Sequence, residues 1–160
     1  MAWIINSFSG VGPLKFGMTR AQVAALPQLG PIRREFSNPD GTAEEYRLLS
    51  DPICIFKDNA LASVEIGRRA KDVQFGKIAI FAEPPRVVLK ALESANGGAA
   101  HFVGSIMFHT LGINTGSFFF PHSFSYFDPA SGEQDDRSIN VFAKGEFDSM
   151  IGKFMPLELP

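Results

Sequence analysis

In 160 residues the chain has one cysteine, one tryptophan, two tyrosines and three histidines. A lone Cys54 cannot close an internal disulfide, so the fold requires no oxidising compartment. It stands in Ile53-Cys54-Ile55-Phe56, an apolar run where a buried, inert thiol is expected. The histidines His101, His109 and His122 show no His-x-x-x-His spacing, and there is no Cys-x-x-Cys. Both are the usual zinc patterns, so neither metal nor cofactor is expected. On one continuous strand His101 and His109 would lie about 26 Å apart at ~3.3 Å per residue, too far to share an ion. No stretch approaches the roughly 20 apolar residues that span a bilayer. The opening Met1-Ala2-Trp3-Ile4-Ile5 has no basic lead and too short an apolar run for a signal peptide. The expectation is a cytoplasmic protein without membrane contact.

Catalytic patterns are scarce too. Ser105 follows Gly104 but lacks the closing glycine of a nucleophile elbow. Gly10-Val11-Gly12 is too short to cradle a phosphate and suits a turn. Glu44 and Glu45 are adjacent, so on a strand they face opposite ways and make no acid–base dyad. Asp128, Glu133, Asp135 and Asp136 lack the spacing of a calcium loop and read as solvated. No enzyme is expected.

What is present is an ordinary apolar share of 45%, weighted towards sixteen phenylalanines. Such rings bury well and have no polar handle, so most belong to a core. The net charge of −2 does not suit a non-specific nucleic-acid binder. Charge is uneven. Residues 1–80 carry ten Lys/Arg against eight Asp/Glu, and residues 81–160 carry five against nine. Ser94 to Phe127 has no charged residue, which predicts strands buried on both faces or covered by a partner.

Local signals place the elements. Thr19 suits a helix N-cap, Gln22 closes a capping box, and Met18 with Val23 can form a hydrophobic staple. A helix over Arg20–Leu26 should then stop at Pro27. Asn38-Pro39-Asp40-Gly41 marks a turn, followed by strands over Glu45–Leu49, Ile53–Lys57 and Leu61–Ile66. Asp58-Asn59 suits a two-residue hairpin, because both tolerate positive φ. Arg68, Arg69 and Lys71 form an exposed basic link before an extended Phe75–Phe81. A second helix starts at Pro84-Pro85, buries Val88, Leu89, Leu92 and Ala95, and stops at Asn96-Gly97-Gly98. Strands are expected at Ile106–Leu111, Ser117–Phe120, Ser123–Phe127 and Ser138–Ala143, then a short helix or turn over Phe147–Phe154. Each half thus reads as a helix followed by an antiparallel meander. The predicted fold is α+β: one domain over 1–160, with pseudo-repeats at about 10–82 and 83–160 and helices packed on a β-sheet.

Two features point to recognition. In Phe118-Phe119-Phe120, Phe118 and Phe120 would share one strand face and could serve with Tyr126 as aromatic anchors. The acidic loop with Asp128, Glu133, Asp135 and Asp136 would steer a basic partner.

The stretch Gly12-Pro13-Leu14-Lys15-Phe16-Gly17-Met18-Thr19, with Gln22-Val23, resembles the opening of small bacterial helix-plus-meander domains. These are the SmpA/BamE-like envelope-assembly proteins and the β-lactamase-inhibitor-protein-like repeats. Phe56-Lys57-Asp58-Asn59-Ala60-Leu61 is similar to their hairpin, and Phe75–Phe81 to a segment of immunity-like proteins encoded beside toxins. The resemblance covers about residues 10–95. An acidic residue usual at position 22 is here Gln22, and the lipoprotein cysteine is absent. The resemblance implies a non-catalytic protein-binding module, foremost an immunity or inhibitor protein that occludes the active site of a cognate toxin, with basic, nuclease-type toxins the partner class that an acidic surface suits. The alternatives are a structural envelope-assembly protein, or a small ligand-binding domain using the Phe-rich region.

Overall fold

The computed structural model describes residues 2–160; the reading of Met1 lies outside them. The chain is mainly β, with 37% strand against 14% helix. In order it forms β1 (Trp3–Asn6), β2 (Gly10–Val11), β3 (Leu14–Lys15), α1 (Arg20–Ala24), β4 (Arg34–Ser37), β5 (Thr42–Tyr46), β6 (Ile53–Lys57) and β7 (Ala60–Gly67). Then come β8 (Val73–Phe75), β9 (Ile78–Ala79), α2 (Pro85–Asn96), β10 (Ala99–Phe102), β11 (Ser105–Phe108) and β12 (Ile113–Gly116). The last elements are β13 (Phe119–Phe120), β14 (Ser125–Tyr126), β15 (Ser138–Phe142), a 3-10 helix Asp148–Lys153 and β16 (Met155–Leu157).

Nine strands build one fully antiparallel sheet in the order β16-β10-β11-β12-β15-β7-β6-β5-β4. A second sheet, β3-β2-β1-β8-β9, joins the N-terminus to residues 73–79, with β1 and β8 parallel at Trp3↔Val73. The small pair β13-β14 stands apart. One face of the large sheet carries Cys54, Phe56, Val64, Ile66, Ile113, Ile139 and Val141, all buried. Against that core pack Trp3, Ile5, Val11, Val23 and the α2 residues Val88, Leu89 and Leu92.

This corrects the α+β expectation of two helix-plus-meander pseudo-repeats with helices packed on a sheet. The capping box of Thr19 and Gln22 is present, but α1 spans only five residues and buries only Val23. One turn cannot cover a sheet, and the five-stranded sheet contributes Trp3, Ile5, Val11, Leu14 and Val73 to the core beside α2. The strands of that sheet are mostly two or three residues long, too short to show a period of two in sequence. At Gly10 the backbone passes so close to β3 that a Cβ would lie 1.9 Å from the Leu14 carbonyl oxygen, which only glycine allows.

Local turn chemistry held elsewhere. Asp58 and Asn59 take φ of 51° and 60° between β6 and β7. Gly97 closes α2 in the left-handed conformation, with its amide bonded to the Glu93 carbonyl. Cys54 is fully buried. His101 lies on β10 and His109 in the turn after β11, so no single strand carries both.

Candidate functional site: two surface depressions

The seven expected interface residues divide. β13 and β14 form a hairpin with Phe119 opposite Tyr126 and Phe120 opposite Ser125. Phe119 is buried beneath it, edge-on to Phe124 at 5.5 Å and to Tyr126 at 5.0 Å. Beside the hairpin lies a depression of about 490 Å³ lined by Phe120, His122, Tyr126, Asp128 and Glu133 together with Ser123, Ser125 and Ser131. Four expected residues therefore meet here. Asp128 Oδ1 accepts the Ala130 amide at 2.9 Å and holds the turn, while its side chain stays at the surface. The Tyr126 hydroxyl donates to the Pro160 carbonyl at 2.8 Å, so its polar end is occupied within the chain. Burial raises its pKa above the usual phenol value.

Phe118 and Asp135 sit elsewhere. Ser117 takes a φ of 62°, which breaks the strand alternation and lets Phe118 and Phe119 both turn inward. Phe118 is fully buried and cannot act as a surface anchor. Asp135 is clamped by Arg137 through Nε–Oδ1 and Nη2–Oδ2 contacts of 2.9 Å each. The guanidinium of Arg137 lies over the rings of Phe118, Phe127 and Phe81 at 5.4, 5.6 and 5.9 Å. Hydrogen bonds from Arg137 hold the Asp135 carboxyl below its ordinary pKa. Asp136, one residue on, is exposed and accepts from Gln134 at 2.9 Å.

A larger depression of about 620 Å³ opens where β5, β6, β7 and β15 end. Its walls include Tyr46, Leu48, Leu49 and Ile53, and its charged lining includes Arg47, Asp51, Glu65, Arg68, Arg69 and Asp135 to Arg137. From Arg47 runs an ion chain that is buried at Arg47 and Glu45 and reaches the surface at Arg20 and Glu35. Glu45, with its side chain 2% exposed, receives Arg20 Nε at 2.8 Å and Arg47 Nη2 at 3.1 Å. Arg20 also reaches Glu35 at 2.8 Å, and the Glu45 contact raises its pKa further. Both Glu45 oxygens are thus engaged, which leaves the carboxylate structural. Glu44 faces the other side, where its Oε1 accepts from the Tyr46 hydroxyl at 3.1 Å. Glu65, on that same face of β7, has its carboxyl pKa raised by burial and by the neighbouring charge of Glu44. Burial pushes the Cys54 thiol up to about 12.

Sequence reasoning missed Arg47 and Arg137. For Arg47 a signal existed: Ala43, Glu45 and Arg47 alternate as one buried series, and two opposite charges in such a series can satisfy each other. Among the described residues no three His, Cys, Asp or Glu side chains gather as a metal site. No helix there is long and apolar enough to cross a membrane. No family model matches the chain, and no curated protein or solved structure is significantly similar to it.

Proposed function

We propose that the protein is a non-catalytic binding module of the immunity or inhibitor type. It occludes the active site of a bacterial toxin in the cytoplasm, and the toxin is basic, of the nuclease kind. The observation that carries this reading is the shared depression of Phe120, Tyr126, Asp128 and Glu133. Aromatic side chains there offer contact area at low entropic cost, and the two exposed carboxylates attract a cationic surface. His122 and the serines at the rim supply adaptable hydrogen bonds. The resemblance of Gly12–Val23 to inhibitor-type repeats agrees with a surface that works by fit.

The test is co-expression with the product of an adjacent toxin gene, followed by capture and association kinetics. Rescue of growth and co-purification are expected. Asp128→Lys with Glu133→Lys should slow association at low salt with little change at high salt, because screening removes long-range attraction. Failure to rescue, or an unchanged on-rate at low salt, overturns the proposal.

A further inference from the structure

The large sheet ends at β4, and that edge is open. Every residue from Pro31 to Asp40 is exposed, and β4 is the last strand in the order. An end strand offers a row of unpaired backbone groups, and most proteins block it. The opposite end, β16, has Pro156 at its middle, which takes away one outward donor. β4 reads Arg34-Glu35-Phe36-Ser37 and has no such block. Along an antiparallel pair the backbone groups point alternately towards the neighbour and away from it. The Asn38 amide donates to the Thr42 carbonyl at 2.8 Å, so Phe36 and Arg34 also face β5. The N–H and C=O groups of Glu35 and Ser37 therefore point outward, with no strand beside them. Phe36, 43% exposed, is edge-on to Tyr46 at 5.8 Å, and Arg34 lies over both rings at 5.2 and 5.1 Å. Arg33 and Arg34 stand at one end of the segment and Asp40 at the other, and none of them forms an ion pair among the described residues. Glu35, between them, is held by Arg20 at 2.8 Å.

We infer that β4 pairs antiparallel with β4 of a second copy of this chain, about a two-fold axis through Phe36, and joins two nine-stranded sheets edge to edge as a weak dimer. In that register Glu35 exchanges both backbone hydrogen bonds with Ser37 of the second copy. The two-fold repeats the exchange. Phe36 meets Phe36 of the second copy at a close, non-hydrogen-bonded position, where aromatic pairs stabilise a sheet. Arg34 lies opposite Asn38 of the second copy, next to the turn that carries its Asp40. A segment basic at one end and acidic at the other matches itself head to tail, which is what selects a copy of the chain as occupant. A two-fold through Glu35 would instead set two carboxylates face to face, which is unfavourable. A seam this short is smaller than a standard interface, so the association is weak and concentration-dependent. The edge shares no residue with the depression of Phe120 and Glu133.

The test is sedimentation velocity of the full chain at concentrations up to about 1 mM, joined to cysteine cross-linking. A dimer fraction that rises with concentration is expected. Ser37→Pro removes the outward amide and leaves the bonds to β5. The dimer then loses two backbone hydrogen bonds and should weaken by about tenfold or more. Phe36→Cys should give a disulfide-linked dimer on mild copper oxidation, because facing Cα atoms in such a pair lie about 4.5 Å apart. Cys54 is fully buried and does not compete. Met155→Cys, on the exposed β16 edge, should stay unlinked. An unchanged thermal transition shows that each variant is folded, and if Ser37→Pro is not, the cross-linking decides. A chain that stays monomeric throughout, a dimer that folded Ser37→Pro does not weaken, or Phe36→Cys linked no more than Met155→Cys overturns the inference.

Discussion

Arg137 and Asp135, two residues apart, form a bidentate pair whose guanidinium lies over three phenylalanine rings. With its side chain 5% exposed, Arg137 depends on that carboxylate for its neutralisation. Asp135→Lys should therefore destabilise the fold by about 3 kcal/mol, since removing one partner strands a buried charge. Asp136→Lys, at an exposed position, should change stability by less than about 0.5 kcal/mol. Urea denaturation of the two variants measures the contrast. Equal midpoints would show that the pair contributes nothing. Asp135 is thereby structural, and the exposed carboxylates of the acidic loop are those of Asp128, Glu133 and Asp136.

Acid should weaken the same pair. The Asp135 carboxyl lies below its ordinary value of 3.8 in the folded chain. Its contribution is present above that value and is lost as pH falls through the lower folded pKa. Asp135→Asn should accordingly flatten the loss of stability below about pH 4, followed by thermal melts.

Glu65 behaves in the opposite sense. Its folded pKa is raised above 4.5 by burial and by Glu44. A raised carboxyl pKa means stability that is present below 4.5 and lost as pH rises through the folded value. Glu65→Gln should raise the melting temperature at pH 7 and leave it unchanged at pH 4. A variant less stable at pH 7 would show that the ionised carboxylate has a partner on that face.

Cys54 should not react with a thiol reagent at pH 8 while the chain is folded. It is fully buried and its thiol is pushed up to about 12, so the reactive thiolate is nearly absent. Full reaction is expected in denaturant. Rapid labelling of the native chain would place the sulfur at the surface.

Thr19→Ala should cost about 1 kcal/mol. Its hydroxyl accepts the Gln22 amide at 3.2 Å, and the Gln22 side chain accepts the Thr19 amide at 2.9 Å. The effect reaches beyond one turn, because the backbone at Gly17 and Met18 bonds to Leu61 on β7. Chemical denaturation measures it, and a neutral result would mean that the Leu61 contacts alone hold the segment.

The elements that were legible are those whose signal is local. Ile53–Lys57 alternates, Asp58-Asn59 turns, Pro85 opens a helix and Gly97 closes it, each through backbone chemistry within a few residues. β1, β8 and β9 were not read as a sheet, since Trp3 meets Val73 across seventy residues and neither strand has length enough to mark itself. The same held for the site. Phe120, Tyr126, Asp128 and Glu133 were readable from an aromatic run next to an acidic loop, but the positive φ of Ser117 removed Phe118 from the surface and Arg137 took Asp135.

By itself the chain order determined the caps, the hairpin turns, the burial of Cys54 and the opposed faces of Glu44 and Glu45. Those follow from dihedral preference and side-chain period, which act between near neighbours. Only the tertiary structure decided that a second sheet joins α2 over the core, and which charges are free. Arg47 and Arg137 are as cationic in sequence as Arg33 and Arg69. What separates them is desolvation beside a particular carboxylate, and that depends on strands distant in the chain coming together.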